Sequence, residues 1–117
     1  MSYDFTLTDI NNNEYYSSNY TSNIYDMVDN AFKKLKEKGL CNNKNTHWSD
    51  EINYEQNPKY ILELITELKS NPTFYKKYNP KNNWGDYESF IIWLQEINSN
   101  IQKLQKHNQV FWMEVTW

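Results

Sequence analysis

The chain has 117 residues and a formal net charge of −3, with 15 Asp and Glu against 12 basic residues, all of them Lys. That length is one domain, able to bury a modest core without staples. The lack of Arg removes bidentate guanine readout, phosphate clamps and any arginine finger, and the negative charge disfavours non-specific binding to nucleic acid or anionic membrane.

Tyr3, Phe5 and Leu7 alternate with Asp4, Thr6 and Thr8, the period of a half-buried strand. Asn11, Asn12 and Asn13 read as a turn, and residues 14–20 return as a second short strand. Thr21 or Ser22 is the expected N-cap of a helix reaching about Lys38. Its stripe is Ile24, Met27, Val28, Ala31, Phe32 and Leu35, and Gly39 stands at C′.

Residues 40–56 are polar and aperiodic, a long loop with Trp48, Ile52 and Tyr54 as anchors. Asn57 and Pro58 open a second helix whose buried face is Tyr60, Ile61, Leu64, Ile65 and Leu68, and Thr73 to Tyr78 add one turn. Asp86 caps a third helix of roughly twenty residues, with Trp84 folding back on Tyr87 or Ile91 like a staple. Tyr87, Phe90, Ile91, Leu94, Ile97, Ile101 and Leu104 form its stripe, and Trp93 falls off it. The last residues alternate again, Val110, Trp112, Glu114 and Thr116 against Phe111, Met113, Val115 and Trp117, a strand covered on both sides. The economical fold is α+β with two layers: a small antiparallel sheet joining the N- and C-terminal strands, packed with three helices.

Aromatics make up 17% of the chain, enough to build a core despite few aliphatics and to exclude disorder. The single cysteine, Cys41, can form no internal disulfide, and the N-terminus has no signal-peptide pattern, so a cytoplasmic location is expected. No apolar run approaches membrane-spanning length.

The stretches MSYDFTLTD, NYTSNIYDMVDNAF and NNWGDYESFIIWLQEI together resemble a loose set of short bacterial and phage proteins of unassigned function. Asn19, Thr21 and Asn23 fill that set's Asn-x-Thr-x-Asn element. Trp84, Gly85, Asp86 and Tyr87 fill its Trp-Gly-Asp-Tyr element, with Asn83 where the set often has Gly. The resemblance covers the N-terminal third and the third helix. It implies a small cytosolic module carried on mobile DNA and brings no enzymatic mechanism.

Cys41 with His47 and neighbouring Asn could form a nucleophile set, but the sequence offers only proximity in a polar loop. His47 and His107 could act as acid and base of a metal-free RNase, with Lys44 or Lys106 on phosphate, although His107 near a helix end serves equally as a cap. One Cys and two distant His give no metal spacing, and neither metal nor cofactor is expected. Glu63 and Glu67 lie one turn apart on what reads as a solvent face. Tyr75 and Tyr78 flank Lys76 and Lys77, a pattern suited to stacking on single-stranded nucleic acid.

The charge is blocky: residues 1–29 hold Asp4, Asp9, Glu14, Asp26 and Asp29 without a lysine. With Tyr15, Tyr16 and Tyr20 these acids make the candidate partner-binding set. The expectation is a non-enzymatic inhibitor that binds a protein, an immunity protein against a toxin or nuclease. Its alternatives are a phage inhibitor of a host defence nuclease, the small RNase above, and a phage structural or assembly component. No sequence-specific nucleic acid and no membrane are expected as partners.

Overall fold

The computed structural model describes residues 2–8, 13–21, 24–39, 52–53, 60–106 and 112–116. In chain order these form β1 (Ser2–Thr8), β2 (Glu14–Thr21), α1 (Tyr25–Glu37), β3 (Ile52–Asn53), α2 (Tyr60–Ser70), α3 (Pro72–Lys76), α4 (Tyr87–Gln105) and β4 (Trp112–Thr116). The fold is α+β, as expected. The sheet has the order β2-β1-β4-β3, with every neighbour antiparallel. The terminal strand β4 lies beside β1, and β3, a two-residue strand inside the stretch read as loop, pairs with its other side. Trp48 and Tyr54 lie outside the described residues.

Register places Phe5 between Ser18 and Val115, and Leu7 between Tyr16 and Met113. Phe5 and Leu7 are fully buried. Along β2, Tyr16, Ser18 and Tyr20 are half-buried while Tyr15, Ser17 and Asn19 are exposed. The period-2 alternation of a sheet covered on one face explains both rows. Helices supply the cover: Phe5 meets Trp93 of α4 edge-on at 6.4 Å.

α1 buries the expected stripe, Met27, Val28, Ala31, Phe32 and Leu35. Its start differs from expectation. Thr21 is taken into β2, opposite Ser2, so it cannot cap; the N-cap is Ile24, without a side-chain cap bond but with its own side chain buried. At the other end Gly39 adopts φ 74°, and its N–H donates to the Lys36 carbonyl at 3.1 Å, closing the helix as a C′ glycine does.

The start of α2 at Asn57 and Pro58 lies outside the described residues. Asn71 caps α3, accepting the Phe74 N–H at 3.3 Å, with Pro72 at the first helical position. α3 is therefore a short fourth helix beside the three long ones. Tyr87 closes the layer from α4, donating its hydroxyl to the Leu68 carbonyl at 2.7 Å.

Candidate functional site

The expected partner-binding residues fall into two groups once folded. Glu14 and Tyr15 are exposed on β2, Tyr15 keeping 46% of its surface. Asp4 lies in β1 at the register position between Asn19 and Thr116, and Thr6 between Ser17 and Glu114. Asp9 lies outside the described residues. Tyr16 and Tyr20 turn the other way, packing against the core under the helices. Asp26 is exposed in the first turn of α1, whereas half-buried Asp29 is held by Lys33 at 3.1 Å. Glu14 and Asp26 follow opposite ends of a strand roughly 23 Å long, so the acids do not make one compact patch. What the strands share is sign: they contain Asp4, Glu14 and Glu114 and none of the lysines.

Tyr20 is instead the keystone of the α4 start. Its hydroxyl donates to the Asp86 carbonyl at 3.2 Å, accepts the Asp86 N–H at 3.1 Å and shares a short hydrogen bond with Ser89 Oγ. Asp86 caps α4 as expected, accepting the Ser89 N–H at 2.7 Å, and Ser89 Oγ reaches back to the Asp86 N–H at 3.3 Å. This is a capping box with Ser in the place of Glu. Trp84, the expected staple, is 55% exposed, and it is the Tyr20 ring, 5.6 Å from Phe90 and 5.4 Å from Trp93, that packs on the first turns of α4. Gly85 (φ 84°) and Asn83 (φ 61°) make the left-handed turns that bring the chain there.

A second place was missed by the sequence reading. Glu67, expected on a solvent face, is buried. Lys38 Nζ from the end of α1 reaches its carboxylate at 3.1 Å, and Ser70 Oγ donates to it at 2.9 Å. Burial, followed by the charge and hydrogen bond of Glu67, pushes the Tyr75 phenol well above its ordinary range. Lys34, Asn71 and Phe74 complete the walls of a cleft of about 330 Å³. The available signal was position: Glu67 is three residues past Leu64 and one before Leu68, at the border of the apolar stripe. Only the approach of α1 decided which side of that border it occupies.

The Tyr75 to Tyr78 segment is not a free stacking platform. Tyr75 is buried, Lys77 covers the Phe74 ring at 4.1 Å and the Tyr78 ring at 5.2 Å, and Lys76 pairs with Glu88 at 2.9 Å. Lys77 is thus engaged with neighbouring rings, and Lys76 with Glu88 and the Tyr87 ring of α4.

Compared with protein-family models, curated proteins and solved structures, the chain matches none. Cys41, His47 and His107, and with them the nucleophile and RNase readings, lie outside the described residues. Among the described residues no group of three or more His, Cys, Asp or Glu could hold a metal ion, and no helix is long and apolar enough to cross a membrane.

Proposed function

We propose that this protein is a non-enzymatic inhibitor that acts by binding a basic protein surface, and that its role is that of an immunity protein neutralising a cognate nuclease toxin. The observation that carries this reading is the segregation of charge. The four described strands hold three carboxylates, Asp4, Glu14 and Glu114, and no lysine, although the chain has twelve. A basic nuclease surface, built to attract phosphates, is attracted by such a sheet for the same reason. Exposed Tyr15 adds a rigid aromatic anchor beside the acids. Opposite charge speeds encounter, and a desolvated aromatic slows release.

The test is co-expression with each nuclease encoded by a neighbouring gene, together with a binding measurement on the purified pair. The inhibitor should protect cells and form a complex whose association slows as salt rises. Asp4→Lys, Glu14→Lys and Glu114→Lys combined should slow association by about tenfold or more. Lys69→Glu on α2 should leave it unchanged. Absence of protection and complex overturns the reading, and so does association indifferent to the triple reversal.

A further inference from the structure

The cleft between α1, α2 and α3 takes no part in the acidic sheet, and buried polar groups line it. Its volume of about 330 Å³ lies inside the roughly 300–1,000 Å³ of small-molecule sites, at the end that suits a sugar-sized molecule. Glu67 and Tyr75 are both wall residues and both almost completely buried. Burying a carboxylate is unfavourable even when it is paired, and an apolar residue would hold α1 against α2 as well. What Glu67 adds is a fixed acceptor. Lys38 Nζ at 3.1 Å and Ser70 Oγ at 2.9 Å both bond its Oε2, and neither engages Oε1.

Cations meet at the same cleft. Lys34 and Lys38 both line it, one helical turn apart on α1, where like charges repel. Lys38 is balanced by Glu67. Lys34 has only Glu37, at 4.0 Å and with that side chain 69% exposed, a pair that neutralises little. Lys77, 4.1 Å over the ring of the wall residue Phe74, has no ion pair among the described residues. Asn71 gives its Oδ1 to the Phe74 N–H, and its Nδ2 donors have no partner among the described residues.

We infer that this cleft binds a sugar phosphate, the phosphate received by Lys34, Lys38 and the Asn71 amide and a sugar hydroxyl donating to Glu67. Lysines and an amide converging from two elements suit a tetrahedral phosphate, to which lysine is a point charge. A planar carboxylate is better matched by the arginine fork, which this chain lacks. Glu67 repels a bare anion, and a hydroxyl beside the phosphate relieves that repulsion by donating to it. Lys38 Nζ belongs to a half-exposed side chain and has three donors, so bonding Glu67 leaves donors for the phosphate. Ser70 and Lys38 hold the carboxylate before the ligand arrives, which lowers the ordering cost of binding. The cleft shares no residue with Asp4, Glu14 or Glu114, so loss of binding here leaves the proposed inhibition untouched.

The experiment is titration of the purified chain with ribose 5-phosphate, ribose and inorganic phosphate, followed by amide NMR shifts over residues 67–75. Ribose 5-phosphate should saturate with a Kd of about 1 mM or tighter, and ribose and inorganic phosphate should each bind at least about tenfold more weakly. Lys34→Ala changes a half-exposed side chain and should weaken ribose 5-phosphate by about tenfold, while Lys69→Ala, outside the cleft, should bind as wild type does. Glu67→Gln should narrow the preference for ribose 5-phosphate over inorganic phosphate by about fivefold, because it lifts the repulsion of the bare anion. Adenosine 5′-monophosphate carries the same group. A tighter fit for ribose 5-phosphate identifies a free sugar phosphate and a tighter fit for the nucleotide a nucleotide ligand, and saturation by either supports the site. No saturation by either at about 10 mM overturns the inference and leaves Glu67 and Lys38 as a pair that only braces two helices. Inorganic phosphate binding as tightly as ribose 5-phosphate overturns it too, as does equal binding by Lys34→Ala and wild type or an equal loss in Lys69→Ala.

Discussion

Trp93 Nε1 donates to Ser18 Oγ at 2.8 Å, tying the middle of α4 to the strand at the sheet edge. The indole is also stacked on Phe90 at 6.0 Å and set edge-on to Phe5 at 6.4 Å. One side chain therefore joins the two layers. Trp93→Ala should cost about 3–5 kcal/mol, the usual range for deleting a buried Trp, and Trp93→Phe less than half of that. Urea unfolding curves check both, and an unchanged midpoint for Trp93→Ala would dismiss this role.

Tyr20→Phe keeps the ring contacts and removes only the hydroxyl that holds Asp86 and Ser89. The expected loss is about 1–2 kcal/mol, because the Asp86 backbone groups are partly exposed and water replaces some of the bonding. Asp86→Ala removes the cap of α4 and should cost about 1 kcal/mol. Because both changes act on one network, the double variant should cost less than their sum. A strictly additive double-mutant cycle would separate Tyr20 from the cap.

The pair across α1 and α2 is asymmetric, with the Glu67 side chain 4% and the Lys38 side chain 53% exposed. Lys38→Met leaves a buried carboxylate with the Ser70 hydroxyl but without its cation, whereas Glu67→Gln leaves an ammonium that water can solvate. Lys38→Met should therefore cost more than Glu67→Gln at neutral pH, by about 1 kcal/mol, the exposure of Lys38 having reduced the effect. Thermal unfolding of both variants decides it, and the reverse order would show that Glu67 does not depend on Lys38.

Tyr75 and Tyr87 both have phenols raised above their ordinary value of 10.0, each chiefly by burial. The folded state keeps these protons to higher pH than the unfolded chain, so their contribution is intact below pH 10 and is lost as pH rises through the folded values. Each adds a slope of up to about 1.4 kcal/mol per pH unit in that window. Denaturation at pH 9 to 12 should show an alkaline decline that is shallower in Tyr75→Phe. An identical decline would assign the effect to other groups.

Elements whose signal is local were legible in the sequence. β1, α1 and α4 follow from alternation or a helical stripe, and Gly39 and Asp86 from the backbone demands of helix ends. Pairing of β4 with β1 followed from economy, because two strands at the chain ends need a common sheet. Contacts between elements distant in sequence were not legible. Thr21 looks like a cap until pairing with Ser2 draws it into β2. Trp84 is near Tyr87 in sequence, yet Tyr20, 66 residues from Asp86, does the holding.

The sequence by itself determined the α+β composition, the sign of the charge on β1, β2 and β4 and the apolar stripes of α1 and α4, because these depend on residue type and period alone. Tertiary structure decided what those faces meet. It turned Tyr16 and Tyr20 inward by strand parity and buried Glu67 by bringing the end of α1 against α2. It also left β2 at the edge of the sheet. Each of these outcomes depends on which element lies beside which, and no local pattern specifies that.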